Sequence, residues 1–600
     1  MHGRLPPTTP AGLQSLADLA GRRRLVAFFN IGIFAAFLFW VASILNHDGW
    51  SVINAAIFVA VAIAAPWSVL GFCNAALGLW LLHFHRDGMW QVAPFARAGE
   101  TGALLQTRTA ILLTIRNEDA NRAFSRLRAV KTSVDAAGQG ASFHWFVLSD
   151  SSDPRIAKEE EREFARWRDE SGACGDRLHY RRRRENIGYK AGNMRDFCER
   201  WSAQYEFMIP LDADSLMDGA TILKLVRIGE AYPKIGILQS LVVGAPSKSA
   251  FARIFQFGMR HGMRTYTMGA AWWAGDCGPF WGHNALVRVE PFARHCVLPK
   301  LEGDQHILSH DQIEAALMRC AGYEVRVLPI ESGSYEENPP TLLDFVRRDL
   351  RWCQGNMQYL NLLKTPGLLP MSRFQLIWAV SMFIGAPAWT TIIALAAVKP
   401  AFEDLSSFPK ASAAAVYLLF LLFYLAPKLA GFADVALTPG GLARYGGAGL
   451  FFAGALTEII GSFLIGAVTT LNVSIFLVGL LFDRTIGWRT QSRDVHGVLP
   501  LDALRALWPH LLFGAAVMSL AGATSPTLLL WSLPLTFGYI GAIPFTLASA
   551  SPKVGVWFMR AGLCAAPEEF DKPEILRTLG RQKSLENSTA GLALKDEGAG

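Results

Sequence analysis

The chain has 600 residues, of which 51% are hydrophobic and only 18% charged. Typical soluble domains carry about 25% charge, so a disordered chain is excluded and a wholly soluble one does not fit. The net charge of +7 takes its meaning from where the basic residues fall along the chain. Eight cysteines are scattered without a C-x-x-C spacing. That pattern offers neither a disulfide framework nor a zinc site, and it points to a reducing cytosol for most of them.

The apolar residues come in blocks. Leu25–Asn46 follows Arg22-Arg23-Arg24 and has the length of a membrane span, since about 20 residues cross the hydrocarbon core. It is too long for a cleaved signal peptide and lacks a small-residue cleavage site. Ile53–Leu82 forms a second span. The link Asn46–Ser51 has no Lys or Arg, whereas Arg22–Arg24 and Arg86 flank the outer ends. The positive-inside rule therefore places residues 1–24 and everything after Arg86 in the cytosol. Residues 87–343 mix charges with short apolar stretches and read as a cytosolic domain, followed by juxtamembrane helices over 344–373.

Membrane character returns at Phe374–Val398, Ala413–Phe432, Gly447–Phe482, Leu504–Gly522 and Pro526–Ser549. The middle block is too long for one span at 1.5 Å per residue. Its flanks, Arg444 on one side and Arg484, Arg489 and Arg493 on the other, are both basic. This predicts a hairpin of two short spans, with one span plus an interfacial helix as the alternative. The expected total is eight spans: two over 25–84 and about six over 374–549, with a cytosolic loop at 483–503. The tail, 550–600, carries Lys572, Arg577, Arg581 and Lys583 and is expected in the cytosol. Lys428 and Glu458 fall inside apolar runs, where a charge costs about 2.5–3.5 kcal/mol. A polar conduit and snorkelling near a helix end are the two readings.

Within the cytosolic part, strands are predicted at Ala110–Ile115, Phe143–Leu148 and Glu206–Leu211. Helices are predicted from about Asp119, over Glu159–Arg168 and from Ala220. This alternation indicates an α/β, Rossmann-like domain with a largely parallel sheet. Ligands bind such sheets beyond the carboxyl ends of the strands. Asn117-Glu118, Asp150 and Asp212-Ala213-Asp214 stand at those ends. Two carboxylates one residue apart suit a hard divalent cation shared with phosphate oxygens, although a D-x-D alone is commonly a surface turn.

Arg181–Arg184 leads into Asn186–Asn193, where Lys190 and two nearby glycines suit a turn that offers a cation to phosphate. A solvated basic face is the plainer reading. Gly278–Asn284 combines Trp281 with His283 and Asn284, a mixture suited either to a sugar or to a core loop. Asp311 opens an amphipathic helix, Gln312–Cys320, and an Asp there is ordinarily a structural cap. Arg348, Arg351 and Trp352 fall on one helical turn just before the membrane. Juxtamembrane cations also commonly meet anionic lipid.

Taken in order, these residues resemble the processive family-2 glycosyltransferases, the group of cellulose, chitin and hyaluronan synthases. The matches are Asp150, Asp212/Asp214, Asp311 and Arg348-Asp349-Leu350-Arg351-Trp352. Two positions depart from that pattern: Arg348 replaces the commoner Gln, and Ser309-His310-Asp311 replaces Thr-Glu-Asp. Gly278–Ala285, Ile307–Met318, Gly333–Pro340, Arg348–Asn356 and Gly487-Trp488 resemble more closely the glucosyltransferase H family. Its members build the backbone of osmoregulated periplasmic glucans from UDP-glucose.

The resemblance implies a GT-A domain inserted in a multi-pass inner-membrane protein and an inverting transfer. Asp311 would be the base, and Asp212 and Asp214 would hold Mg2+ (or Mn2+). Asn117, Glu118, Asp150, Lys190, Asp212, Arg348 and Arg351 would bind the donor; Trp281, His283, Asn284 and Trp352 would bind the acceptor. The implied partners are UDP-glucose, the growing glucan and the bilayer, with a periplasmic glucan-processing protein and an acyl carrier protein, and no nucleic acid. Another β-glycan synthase would share this chemistry. A transporter with a nucleotide-sensing domain would instead show inverted repeats, which the two-plus-six arrangement lacks.

Overall fold

A computed structural model describes residues 12–301, 303, 305–487 and 496–581. Trp488, Arg489, Arg493 and Lys583 lie outside the described residues. The chain begins with two long apolar helices, α1 (Leu16–Leu45) and α2 (Val52–His83). Their first turns are capped by the hydroxyls of Ser15 and Ser51, which accept the N–H groups of Asp18 and Asn54.

An eight-stranded sheet follows: β1 (Thr109–Ile115), β2 (Phe143–Ser149), β3 (Leu178–Arg182), β4 (Phe207–Asp212), β5 (Leu216–Met217), β6 (Ile235–Gly244), β7 (Ala285–Arg288) and β8 (Glu324–Glu336). Their order is β3-β2-β1-β4-β7-β6-β8-β5. The first four strands are parallel, as the alternation predicts, and β7 enters antiparallel between β4 and β6. Helices α3 (Ala120–Ala136), α4 (Pro154–Glu170), α5 (Tyr189–Trp201) and α6 (Gly219–Ala231) provide the crossovers. Side chains of β1 alternate between two cores, with Ile111, Leu113 and Ile115 in one and Ala110 and Leu112 in the other. Both faces are thus covered, which is why the strand is apolar throughout. The chain runs from β1 to β2 in one direction and returns to β4 on the other side, so the crevice opens at the carboxyl ends of β1 and β4.

Two amphipathic helices, α7 (Ala250–Ala274) and α9 (Leu342–Met357), join this domain to the apolar helices, while α8 (Asp311–Cys320) belongs to the site. Phe345 of α9 packs on Phe251 and Phe255 of α7, with ring centroids 5.9 and 4.6 Å apart. The chain then forms α10 (Pro370–Val398), α11 (Lys410–Leu437), α12 (Ala448–Leu480), α13 (Pro500–Thr524), α14 (Pro526–Ile540), α15 (Ala542–Ala550) and α16 (Pro552–Ala561). Among the described residues six helices are long and apolar enough to cross a membrane, and the pair α14–α15, bent by 53°, makes a seventh candidate.

The hairpin expected within Gly447–Phe482 is absent: α12 is one helix of 33 residues. Its start lies beside α7, where Phe451 meets Phe257 and His261. Its end lies beside α9, where Leu480 and Ile486 cluster with Cys353, and the Ile486 N–H donates to Gln354 Oε1 (2.8 Å). The tail returns to the sheet domain: Ile575, Leu576 and Leu579 join its core, and Glu568 pairs with Arg260 of α7 (2.7 Å). An even number of crossings must therefore separate the domain from its tail. Of the five apolar units after the domain, α12 touches α7 near its start and α9 near its end. The opposite side of the bundle is marked by Ser51, which donates to Glu403 (2.5 Å). Eight spans are expected from the sequence; the described residues hold six helices of sufficient length and apolarity, α12 among them, and a seventh if the bent pair α14–α15 is one span.

Lys428 of α11 and Glu458 of α12 are brought together by the packing of the two helices. They form an ion pair shared with Ser462, and Glu458 is only 2% exposed. Gly258 of α7 leaves the room this carboxylate needs, since a Cβ there would collide with it.

Candidate active site

The parallel register of β1 and β4 sets Thr114 beside Asp212 and carries the D-x-D triplet to the crevice. The Thr114 hydroxyl lies 3.2 Å from the Leu211 carbonyl and 3.4 Å from Asp212 Oδ1. The triplet turns tightly: the Asp212 N–H donates to Ser215 Oγ (3.1 Å), and the Ser215 N–H donates back to the Asp212 carbonyl (3.0 Å). Asp214 is buried, and its carbonyl accepts from Arg126 of α3 (3.2 Å).

Lys190 stands in the first turn of α5 and pairs with Asp212. Gly188 precedes it at φ 69°, in the left-handed region that glycine occupies without strain. The expected turn is therefore a helix start that aims its cation at the D-x-D. Asp150 immediately follows β2 and opens the loop there, and Arg183 takes both of its carboxylate oxygens. Arg183 had been legible only as one member of a basic run.

Asn117 is placed differently from the expectation. Its side-chain oxygen accepts the N–H groups of Ser152 and Asp153 (2.9 and 3.0 Å), and its amide donates to Ser152 Oγ (3.0 Å). It braces the β1 loop against the β2 loop, using its side chain for the fold. Glu118 follows it, half-buried, in the same loop.

On the opposite wall, Gly282 at φ 79° lets the 281–284 loop approach α8: a Cβ there would lie 3.5 Å from Asp311 Cβ. Trp281 is half-buried, and its N–H donates to Gln239 (2.8 Å). His283 turns toward the D-x-D, with Nδ1 3.2 Å from Ser215 Oγ and Nε2 3.5 Å from Glu336. Asn284 corrects the sequence reading: it is fully buried, and its amide donates to Ser334 Oγ (3.0 Å) and the Tyr335 carbonyl (3.3 Å). It ties the loop to β8 and does not face the crevice.

Asp311 is also not the N-cap. His310 occupies that position without a side-chain cap bond, and Asp311 is the first helical residue. Among the described residues the Asp311 carboxylate makes no hydrogen bond or ion pair. His310 bonds Glu314 at 2.8 Å. Burial opposes charge on this imidazole, but Glu314 and Asp311 together raise its pKa, with Lys190 acting against them. The Ser309–Asp311 corner rests on α9 and the turn after it: the Tyr359 hydroxyl donates to the Ser309 carbonyl (2.8 Å), and Gly355 leaves space for Ser309.

On α9, Arg348 lies 4.7 Å from the Trp352 ring centroid, one helical turn away, and Trp352 is 48% exposed. Arg351 is half-buried on the same helix. Burial pushes the Asp349 carboxyl between them up to about 6, with Arg348 opposing. Glu336, within Gly333–Pro340, is not among the site residues expected from the sequence. Burial raises the Glu336 carboxyl; His283 and Arg348 oppose this, and Asp214 and Asp212 add to it.

Among the described residues no cluster of three or more His, Cys, Asp or Glu could hold a metal. Asp212 and Asp214 nevertheless fit Mg2+, which commonly takes one or two carboxylates and completes its shell with substrate phosphates and water.

Residues 207–428 contain both the D-x-D end of β4 and the R-x-x-R-W helix, and they match glycosyl transferase family group 2. With its apolar helices, the protein is in class a membrane-bound glycosyltransferase. The chain is 35% identical to the glucans biosynthesis glucosyltransferase H of Rhodopseudomonas palustris over 589 residues, covering 95% of this chain and 80% of that one. With the enzyme of the same name from Vibrio cholerae it is 34% identical over 578 residues, 92% and 78% of the two chains. With that of Xanthomonas campestris pv. campestris it is 33% identical over 631 residues, 97% and 96%. The chain belongs to the glucans biosynthesis glucosyltransferase H family.

Proposed function

We propose that the protein transfers glucose from UDP-glucose, with inversion, to a growing β-1,2-glucan, the backbone of osmoregulated periplasmic glucans. In this reading it lies in the bacterial inner membrane with the sheet domain and both termini in the cytosol, and it passes the product outward. A periplasmic glucan-processing protein and an acyl carrier protein are its expected partners. The observation that carries the reading is the state of Asp311. Its carboxylate caps no helix and bonds no neighbour among the described residues, and it stands against the Trp281–His283 loop.

Asp311 accepts the proton of the acceptor hydroxyl as that oxygen forms its bond to the anomeric carbon and the bond to the UDP oxygen breaks. The developing charge on UDP is met by Lys190, Arg348 and Arg351, fixed donors that need little rearrangement. Asp212 and Asp214 would hold Mg2+ (or Mn2+), which when bound neutralises diphosphate charge. Asp150 and Glu118 line the donor side, and Trp281 and Trp352 offer stacking surfaces to the acceptor.

The test is incorporation of label by purified protein in lipid, comparing UDP-glucose with UDP-galactose and UDP-N-acetylglucosamine, followed by linkage analysis. Label from UDP-glucose alone, in a 2-linked β-glucan, is expected. Polymer made from another sugar nucleotide, or with another linkage, would reject the corresponding part of the reading.

A further inference from the structure

The D-x-D turn is held at both ends by consecutive acidic residues at the end of β8. Glu336 is the last residue of β8 and Glu337 the first beyond it, and their side chains reach in two directions. Glu336 lies 3.5 Å from His283 Nε2; His283 Nδ1 lies 3.2 Å from Ser215 Oγ; and Ser215 Oγ accepts the N–H of Asp212. Glu337 pairs with Arg122 and Arg126, and Arg126 donates to the carbonyl of Asp214 (3.2 Å). One arm therefore ends on the first backbone group of the triplet and the other on its last.

We propose that Glu336 and Glu337 are positioning residues of the transfer, a two-armed clamp that fixes the Asp212–Asp214 turn in the geometry that receives the nucleotide diphosphate. The inference rests on the donor reading above and adds residues to it. The clamp also has a second attachment. Glu337 is followed by Asn338-Pro339-Pro340 and then Thr341, which caps α9. Arg348 of that helix acts electrostatically on Glu336.

Glutamine at either position keeps the size and loses the charge. Binding of UDP is measured by calorimetry on full-length protein in nanodiscs, alongside kcat and KM for UDP-glucose. Glu336→Gln, Glu337→Gln and Ser215→Ala are each expected to weaken UDP binding about tenfold. Glu336→Gln and Ser215→Ala break the same arm, so their double variant should lose no more than either alone. Glu336→Gln with Glu337→Gln breaks both arms, and there the losses should multiply. Should Glu337→Gln fail to fold, with Arg126 buried behind it, the Glu336–Ser215 cycle still decides.

Wild-type UDP affinity in the Glu336 and Ser215 variants, or multiplying losses within that arm, would overturn the clamp. Wild-type protein that binds UDP but transfers no glucose would overturn the donor reading and leave the clamp standing. Wild-type protein that binds no UDP would overturn both.

Discussion

Arg183 grips Asp150 at both oxygens: Nε lies 2.6 Å from Oδ1 and Nη2 2.7 Å from Oδ2. The same guanidinium donates to the carbonyls of Ile187 and Tyr189 (each 3.0 Å), so it also holds the entry to α5 and Lys190. A lysine cannot reproduce this fork. Arg183→Lys should weaken UDP binding about tenfold and lower kcat less, because orientation is lost on the donor side only. Unchanged UDP binding by calorimetry would show that Asp150 needs no such support.

Since His310 is the N-cap, both Asn and Ala at position 311 are informative. Asp311→Asn and Asp311→Ala should lower transfer by about two orders of magnitude or more, the usual loss for a general base. UDP binding and the thermal midpoint should stay near wild type. Either variant building glucan at a near-normal rate would move the base elsewhere, with Glu314 of the same helix as the next residue to test.

Metal removal supplies a separate check. If Asp212 and Asp214 hold a divalent cation on the diphosphate, EDTA should abolish transfer and added Mg2+ should restore it. Asp214→Asn should raise the Mg2+ concentration needed for half-activity at least tenfold. Activity indifferent to EDTA would remove the metal from the scheme.

Asp349 gives a pH signature. Burial pushes its carboxyl up to about 6 in the fold, above the ordinary 3.8. Keeping it charged when folded therefore costs stability, and the cost grows as pH rises from about 4 to about 6 and then levels off. Compared with Asp349→Asn, the wild type should lose thermal stability progressively over that window and show a constant deficit above it. Parallel melting curves across the whole range would contradict the shift.

Topology is open to direct measurement. Cysteines placed at Ser51 and Glu403 should be labelled from the side opposite the sheet domain. A cysteine at Gly487 should be labelled from the domain's side, as should one at Gly441. Labelling of Gly487 from the same side as Ser51 would make α12 a full crossing.

Much of the domain was legible because its strands are short apolar runs that end in charged residues. The predicted Phe143–Leu148 differs from β2 by a single residue, and the register that exposes Asp212 follows from the same pattern. Asn284 and Asn117 misled the reading because an exposed amide and a bracing amide look alike in sequence. Only the left-handed backbone at both positions and their partners across neighbouring loops separate the two. Glu336 was missed because its role depends on β8, whose pairing with β6 shifts register near Leu241 and Val243 before setting Glu336 beside Gly244. Two adjacent carboxylates after the Ser332–Tyr335 stretch were the signal available. For α12, hydropathy reports length and apolarity but carries no information on orientation. Contacts with α7 and α9 are what set its direction.

The packing of Ile575, Leu576 and Leu579 into the sheet domain bears on how the enzyme comes into being. These residues leave the ribosome after every apolar helix has been made. The domain, although encoded long before, cannot complete its core until they arrive, and they can arrive on its side only if the bundle has been inserted in the right sense. Chains that stall, lose their tail or insert inverted would carry the whole crevice sequence and still present an unfinished domain. The core of the domain is therefore closed by the part of the chain made after the bundle, which ties completion of the domain to the placement of the apolar helices.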